Sequence, residues 1–121
     1  MTSTFACDLT VFTSAQRERL RTLIPEVFAA CRDADELPDG FRLRFPPESL
    51  GAATQTAAAL PLVLTEWITL ERLCCPCIAF AIEFEEERGP IAVRMTGRPG
   101  IKAFLLIEFA GRIAEKLTHA R

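Results

Sequence analysis

Three of the chain's five cysteines fall within four residues, Cys74-Cys75-Pro76-Cys77. The run holds a vicinal pair, a C-x-C and a C-x-x-C at once, and three thiols so close together are hard to account for by packing alone. Thiols at this density hold soft cations or exchange disulfides. Both uses draw on the thiolate, which is the ligand and the nucleophile alike.

The element that carries the cluster chooses between them. Leu60, Leu64, Trp67, Ile68, Glu71 and Cys74 or Cys75 recur at three- and four-residue spacing, which predicts a helix from about 49 to 74 with a break near Pro61. Pro76 ends it, because the residue before a proline is driven out of the helical region. The thiols thus sit at a helix carboxyl end. There the last carbonyls and Glu71, one turn back on the same face, oppose thiolate formation unless a cation is present, and Arg72 offsets only part of that. A thioredoxin-type C-x-x-C opens a helix instead and is helped by the dipole. A soft cation turns the negative setting into an asset, since thiolate and carboxylate attract it together.

The reading favoured is therefore thiol-based binding of a soft metal or metalloid ion (Hg, As, Cu or Zn) by Cys74, Cys75 and Cys77. Glu71 assists or orients, and Cys7 is the candidate for a further ligand. The alternatives are a cysteine-based redox protein or sensor cycling Cys74 and Cys77, and a non-catalytic dimeric interaction module whose cysteines only pack. Structural zinc usually takes two separated Cys/His pairs, and this chain has one cluster. His119, the only histidine, lies near the end of the chain and is not counted as a ligand. Cys31, on the apolar stripe of the first helix, reads as a core residue. G-x-S-x-G, P-loop, H-E-x-x-H and dinucleotide fingerprints are absent, so a binding protein is expected rather than an enzyme.

At 121 residues, half of them apolar and nine of them Phe, the chain has the size and composition of one packed domain, 1–121. Fourteen basic residues against sixteen acidic ones, with no Lys/Arg stripe, argue against a nucleic-acid partner. No run approaches the roughly 18 apolar residues of a membrane span, and the amino terminus lacks the pattern of an export signal. A cytoplasmic protein with reduced thiols is expected.

The remaining elements follow from spacing. Thr13 with Gln16 forms a capping-box pattern ahead of Leu20, Leu23, Ile24, Val27, Phe28 and Cys31, predicting a helix over 14–32 with a bend at Pro25. Leu37-Pro38-Asp39-Gly40 signals a turn before the alternating strand Phe41–Phe45. Ile78, Phe80, Ile82 and Phe84, then Ile91, Val93 and Met95, predict a hairpin. Thr96-Gly97-Arg98-Pro99-Gly100 leads into a last helix over 100–117, apolar nearly all round at its start, which suggests a homodimer through that helix. The expected architecture is α+β, in the order α-β-α-β-β-α, with helices on one face of a small three-stranded mixed sheet. Its outer face would carry Arg42, Arg44 and Arg94 opposite Glu83 and Glu85, paired across strands.

Glu71-Arg72-Leu73-Cys74-Cys75-Pro76 resembles the E-R-x-C-C-P-F motif of a family of small uncharacterised bacterial proteins. The likeness extends to Leu37-Pro38-Asp39-Gly40-Phe41, to an early cysteine at Cys7, and to Thr96-Gly97-Arg98-Pro99-Gly100 before an apolar helix. It spans most of the chain, with only the central motif specific. The resemblance implies an association with heavy-metal (mercury or arsenic) resistance. The chain departs from the motif at Cys77, where the family has Phe.

Overall fold

The computed structural model describes residues 4–47 and 60–117. A single 3-10 turn, Leu9–Val11, follows Asp8, whose carboxylate accepts the Thr10 amide at 3.0 Å. Helix α1 (Ser14–Ala30) then starts on the expected capping box. Thr13 Oγ1 accepts the Gln16 amide and Gln16 Oε1 accepts the Thr13 amide, so two donors that a helix start leaves open are satisfied. The helix passes through Pro25 and stops at Ala30 rather than 32, burying Leu20, Leu23, Val27 and Phe28.

Strands β1 (Asp33–Leu37) and β2 (Gly40–Phe45) form a hairpin around Pro38-Asp39. Helix α2 (Leu60–Cys74) leads to a second hairpin, β3 (Ala79–Phe84) with β4 (Ile91–Thr96). Helices α3 (Ile101–Glu108) and α4 (Arg112–Lys116) close the described chain. The expected helical residues 49–59, and His119, lie outside the described residues.

The architecture is α+β as expected, but the sheet has four strands in the order β1-β2-β4-β3, antiparallel throughout, in place of three mixed ones. The element order is accordingly α-β-β-α-β-β-α-α. The added strand is β1. Asp33-Ala34-Asp35-Glu36-Leu37 is poor in the β-branched and aromatic residues that mark strands, and its register supplies what its composition does not. Asp33 stands opposite Arg44 and Asp35 opposite Arg42, and Arg44 reaches Asp33 at 2.5 Å and Asp35 at 2.9 Å. With Arg42 at 3.3 Å from Glu83, the outer face is the ion-paired surface that the sequence suggests, with β1 contributing acidic partners.

The other face carries Phe41, Leu43, Phe45, Ile91, Val93 and Met95, all buried. Trp67 of α2 stands at the centre of the core, edge-on to Phe28 of α1, Phe80 of β3 and Phe109 after α3.

The last helix is two helices. Ala110 and Gly111 take positive φ, 52° and 82°, and the Gly111 amide closes back on the Leu106 carbonyl at 3.3 Å, ending α3 with a left-handed cap. The break turns Ile113 into the core and lets Leu117 bridge Ala34 of β1. Ile101, Leu105 and Phe109 are thus covered within the chain, so most of the apolar surface that suggested a second copy has an internal partner; Ile107 stands 80% exposed. No described helix is long and apolar enough to cross a membrane.

Gly40 is required by contact. A Cβ there would lie 1.9 Å from the Met95 carbonyl oxygen, within the β2–β4 ladder. Gly40→Ala is therefore expected to cost about 1–3 kcal/mol of stability, as overpacking does, read from the denaturant midpoint; an unchanged midpoint would mean that the ladder gives way without strain.

Candidate metal centre

Helix α2 ends where the sequence says it must. The Cys75 amide still reaches the Glu71 carbonyl at 2.7 Å, and a turn around Pro76 follows, closed by the Ile78 amide on the Cys75 carbonyl at 3.1 Å. A helix end leaves carbonyls without helical donors. The carbonyl of Cys74 takes its donor from far away in sequence: the Asp8 amide, at 2.8 Å. The segment before the 3-10 turn is thereby fastened to the end of α2. Farther out, Phe5 stacks on Phe104 of α3 with ring centroids 6.0 Å apart, and the Arg98 guanidinium lies 4.1 Å over the Phe5 ring.

This fastening makes Cys7 a neighbour of the cluster. The sulfurs of Cys7, Cys74 and Cys75 all lie within 4.8 Å of one another, close enough to hold one metal ion. Those of Cys74 and Cys75 are 3.7 Å apart. Cys74 and Cys75 are fully buried, whereas Cys7 is half-buried. Cys77 stands apart from this group. It is buried among the core residues past the turn, its backbone beside Gly97.

Glu71, 1% exposed, is the one buried charged residue among those described. Its Oε2 accepts the Trp67 indole N–H at 2.9 Å, and its Oε1 lies 3.9 Å from the Cys74 sulfur. Burial, with the charge of Cys74 adding to it, pushes its pKa up to about 8. A second carboxylate, Glu108 at the end of α3, faces the same space and raises the Cys7, Cys74 and Glu71 titrations. Sequence reasoning missed Glu108. The available signal was its place as the single acidic residue of a largely apolar helix.

The thiols divide unevenly. Burial pushes the Cys7 thiol up, and Cys75 is pushed up by the hydrogen bond it donates to Cys74 and then by burial. Cys74 is lowered to about 7, chiefly because Cys75 donates to it, with Cys7 helping against the cost of burial. A helix end beside an acid was expected to oppose thiolate formation. Of the two sulfurs at the helix end, Cys75 is raised, with Glu71 adding to its hydrogen bond and burial, while at Cys74 the neighbouring S–H groups outweigh that opposition. Arg72 is exposed. Cys31 is the core residue expected, its S–H donated to the Asp33 carbonyl at 3.3 Å and its pKa raised by burial to about 11.

A cavity of about 410 Å³ adjoins the site, walled by Cys7, Glu71, Glu108, Leu9, Leu20 and Ile24, with Arg17 and Arg21 also lining it. Comparison with protein-family models, curated proteins and solved structures finds no match for the chain.

The raised Glu71 titration has a signed consequence. Unfolded, the group releases its proton near 4.5; folded, near 8. Between those values the folded state holds the extra proton, so its contribution to stability is complete below about 4.5 and lost as pH climbs to about 8. Metal-free protein is expected to lose thermal stability across that window. Glu71→Gln, which keeps an acceptor for Trp67, should flatten the profile, and an equal slope in the variant would assign the loss to other groups.

Proposed function

We propose that the protein binds one soft metal or metalloid ion through Cys7, Cys74 and Cys75, with Glu71 beside the ion. The convergence of three sulfurs from two distant parts of the chain within 4.8 Å of one another carries this reading. Hg(II), As(III), Cu(I) and Zn(II) are the candidates by ligand softness. Two of the sulfurs are sealed from water, and an ion there is matched by two carboxyl groups as well as by thiolate charge. A metal cation binding there releases the thiol protons and, with them, the proton that burial keeps on Glu71, whereas arsenite takes up the thiol protons as water.

A second reading, thiol–disulfide redox chemistry, has one observation in its favour. The lowered pKa of Cys74, with Cys75 at 3.7 Å, supplies a thiolate beside a second thiol.

Native mass spectrometry of reduced protein separates the two readings. On the ion-binding reading, one equivalent of As(III) or Hg(II) adds a single ion. Cys7→Ser, Cys74→Ser and Cys75→Ser should each weaken binding by about tenfold or more, and Glu71→Gln by about tenfold, while Cys77→Ser leaves it intact. No retained ion, or equal damage from Cys77→Ser, would sink the reading. Protein isolated from cells two hydrogens lighter, with the loss mapped to this cluster, would favour the redox one.

A further inference from the structure

The cavity is much larger than any bare ion and lies to one side of the sulfurs. Its about 410 Å³ falls in the range of small-molecule sites. Of the three sulfurs only that of Cys7 lies on its wall, while Cys74 and Cys75 sit buried behind. Leu9, Leu20 and Ile24 form its apolar side. A hydrated ion gains nothing from such a surface; a hydrocarbon group does. The arginines that also line the cavity are engaged elsewhere. Arg17 donates to the Phe12 carbonyl at 3.2 Å and Arg21 to Glu18 at 2.7 Å, so the cavity does not read as an anion receptor.

Resting on the three-thiol reading above, we propose that the site's ligand is a soft metal or metalloid ion that carries one organic substituent, with the two inner sulfurs binding the ion and the substituent filling the cavity. Trivalent arsenic states the chemistry most plainly. Inorganic As(OH)₃ condenses with three thiols and releases three waters, using Cys7, Cys74 and Cys75. A monosubstituted R–As(OH)₂ condenses with two thiols and releases two waters. The arsenic–carbon bond then stands where the Cys7 sulfur stood, and R extends past Cys7 between Leu9, Leu20 and Ile24. No oxidant or reductant enters either step.

The test compares arsenite, methylarsonous acid and phenylarsonous acid on reduced protein, each referenced to its affinity for dithiothreitol so that intrinsic arsenic–sulfur strength cancels. The phenyl compound should be preferred over the methyl one by about tenfold or more beyond the dithiothreitol ratio, from the added apolar area removed from water. Ile24→Trp should erase that preference by filling the cavity and leave arsenite binding unchanged. Leu9→Trp, on the exposed turn, serves if Ile24→Trp does not fold. Cys7→Ser should weaken arsenite while sparing phenylarsonous acid. A phenyl-to-methyl ratio equal to that of dithiothreitol, or one that survives both tryptophan variants, overturns the inference and leaves the three-thiol reading standing. Failure of all three compounds to bind overturns the inference, and failure of Hg(II) as well overturns the three-thiol reading itself.

Discussion

One backbone hydrogen bond, from the Asp8 amide to the Cys74 carbonyl at 2.8 Å, makes a site out of what would otherwise be a vicinal thiol pair at a helix end. Cys74 and Cys75 at the end of α2 are buried, and a buried carbonyl without a donor there carries a desolvation cost. The segment before α1 supplies the donor as backbone, at a fixed distance along the chain from a cysteine. Cap and third thiol therefore arrive together. The Phe5 stack on Phe104 and the cation of Arg98 over its ring hold the same segment from its outer side, so that the position of Cys7 depends on packing against α3 as well as on the cap.

The electrostatics of the site are compatible with a bound positive charge. A carboxyl group 1% exposed, whose sole strong hydrogen bond is to an indole N–H, is costly to ionise, and a second carboxylate, Glu108, faces it across the same space. Leucine or methionine at 71 would pack beside Trp67 without that cost. Local conflicts of this kind concentrate at functional positions. Here burial keeps the proton on Glu71, and a cation close to the sulfurs would relieve that carboxyl group and the thiols together.

Legibility from sequence followed how local each feature is. The Thr13–Gln16 capping box, the stop at Pro76, the β3–β4 alternation and the pairing of Arg42 with Glu83 could be read because each depends on residues a few positions apart or on strict alternation. Strand β1 could not. Its residues have little strand propensity, and what marks it is the pairing of Arg44 with two of its aspartates across the ladder, a fact about register rather than composition. The break at Ala110-Gly111 was hidden by an apolar pattern that continues through it to Ile113 and Leu117. Cys7 could be nominated from sequence but not placed, since the bond that places it joins residues at opposite ends of a helix pair. Glu108 was overlooked because one acid at the end of a helix usually faces water.

Cys77 carries the last step. Crowding in sequence made it look like the third ligand, yet a turn around Pro76 separates it from the pair before it, and it continues into the core with Ile78. A buried thiol packs as a small hydrophobe. The third sulfur of the cluster comes from Cys7 instead, so the arrangement that brings the thiols together is a vicinal pair, a glutamate one turn before it, and a distant cysteine brought in by a helix cap. A C-x-x-C reading of the same residues would select a sulfur that the fold has put to another use.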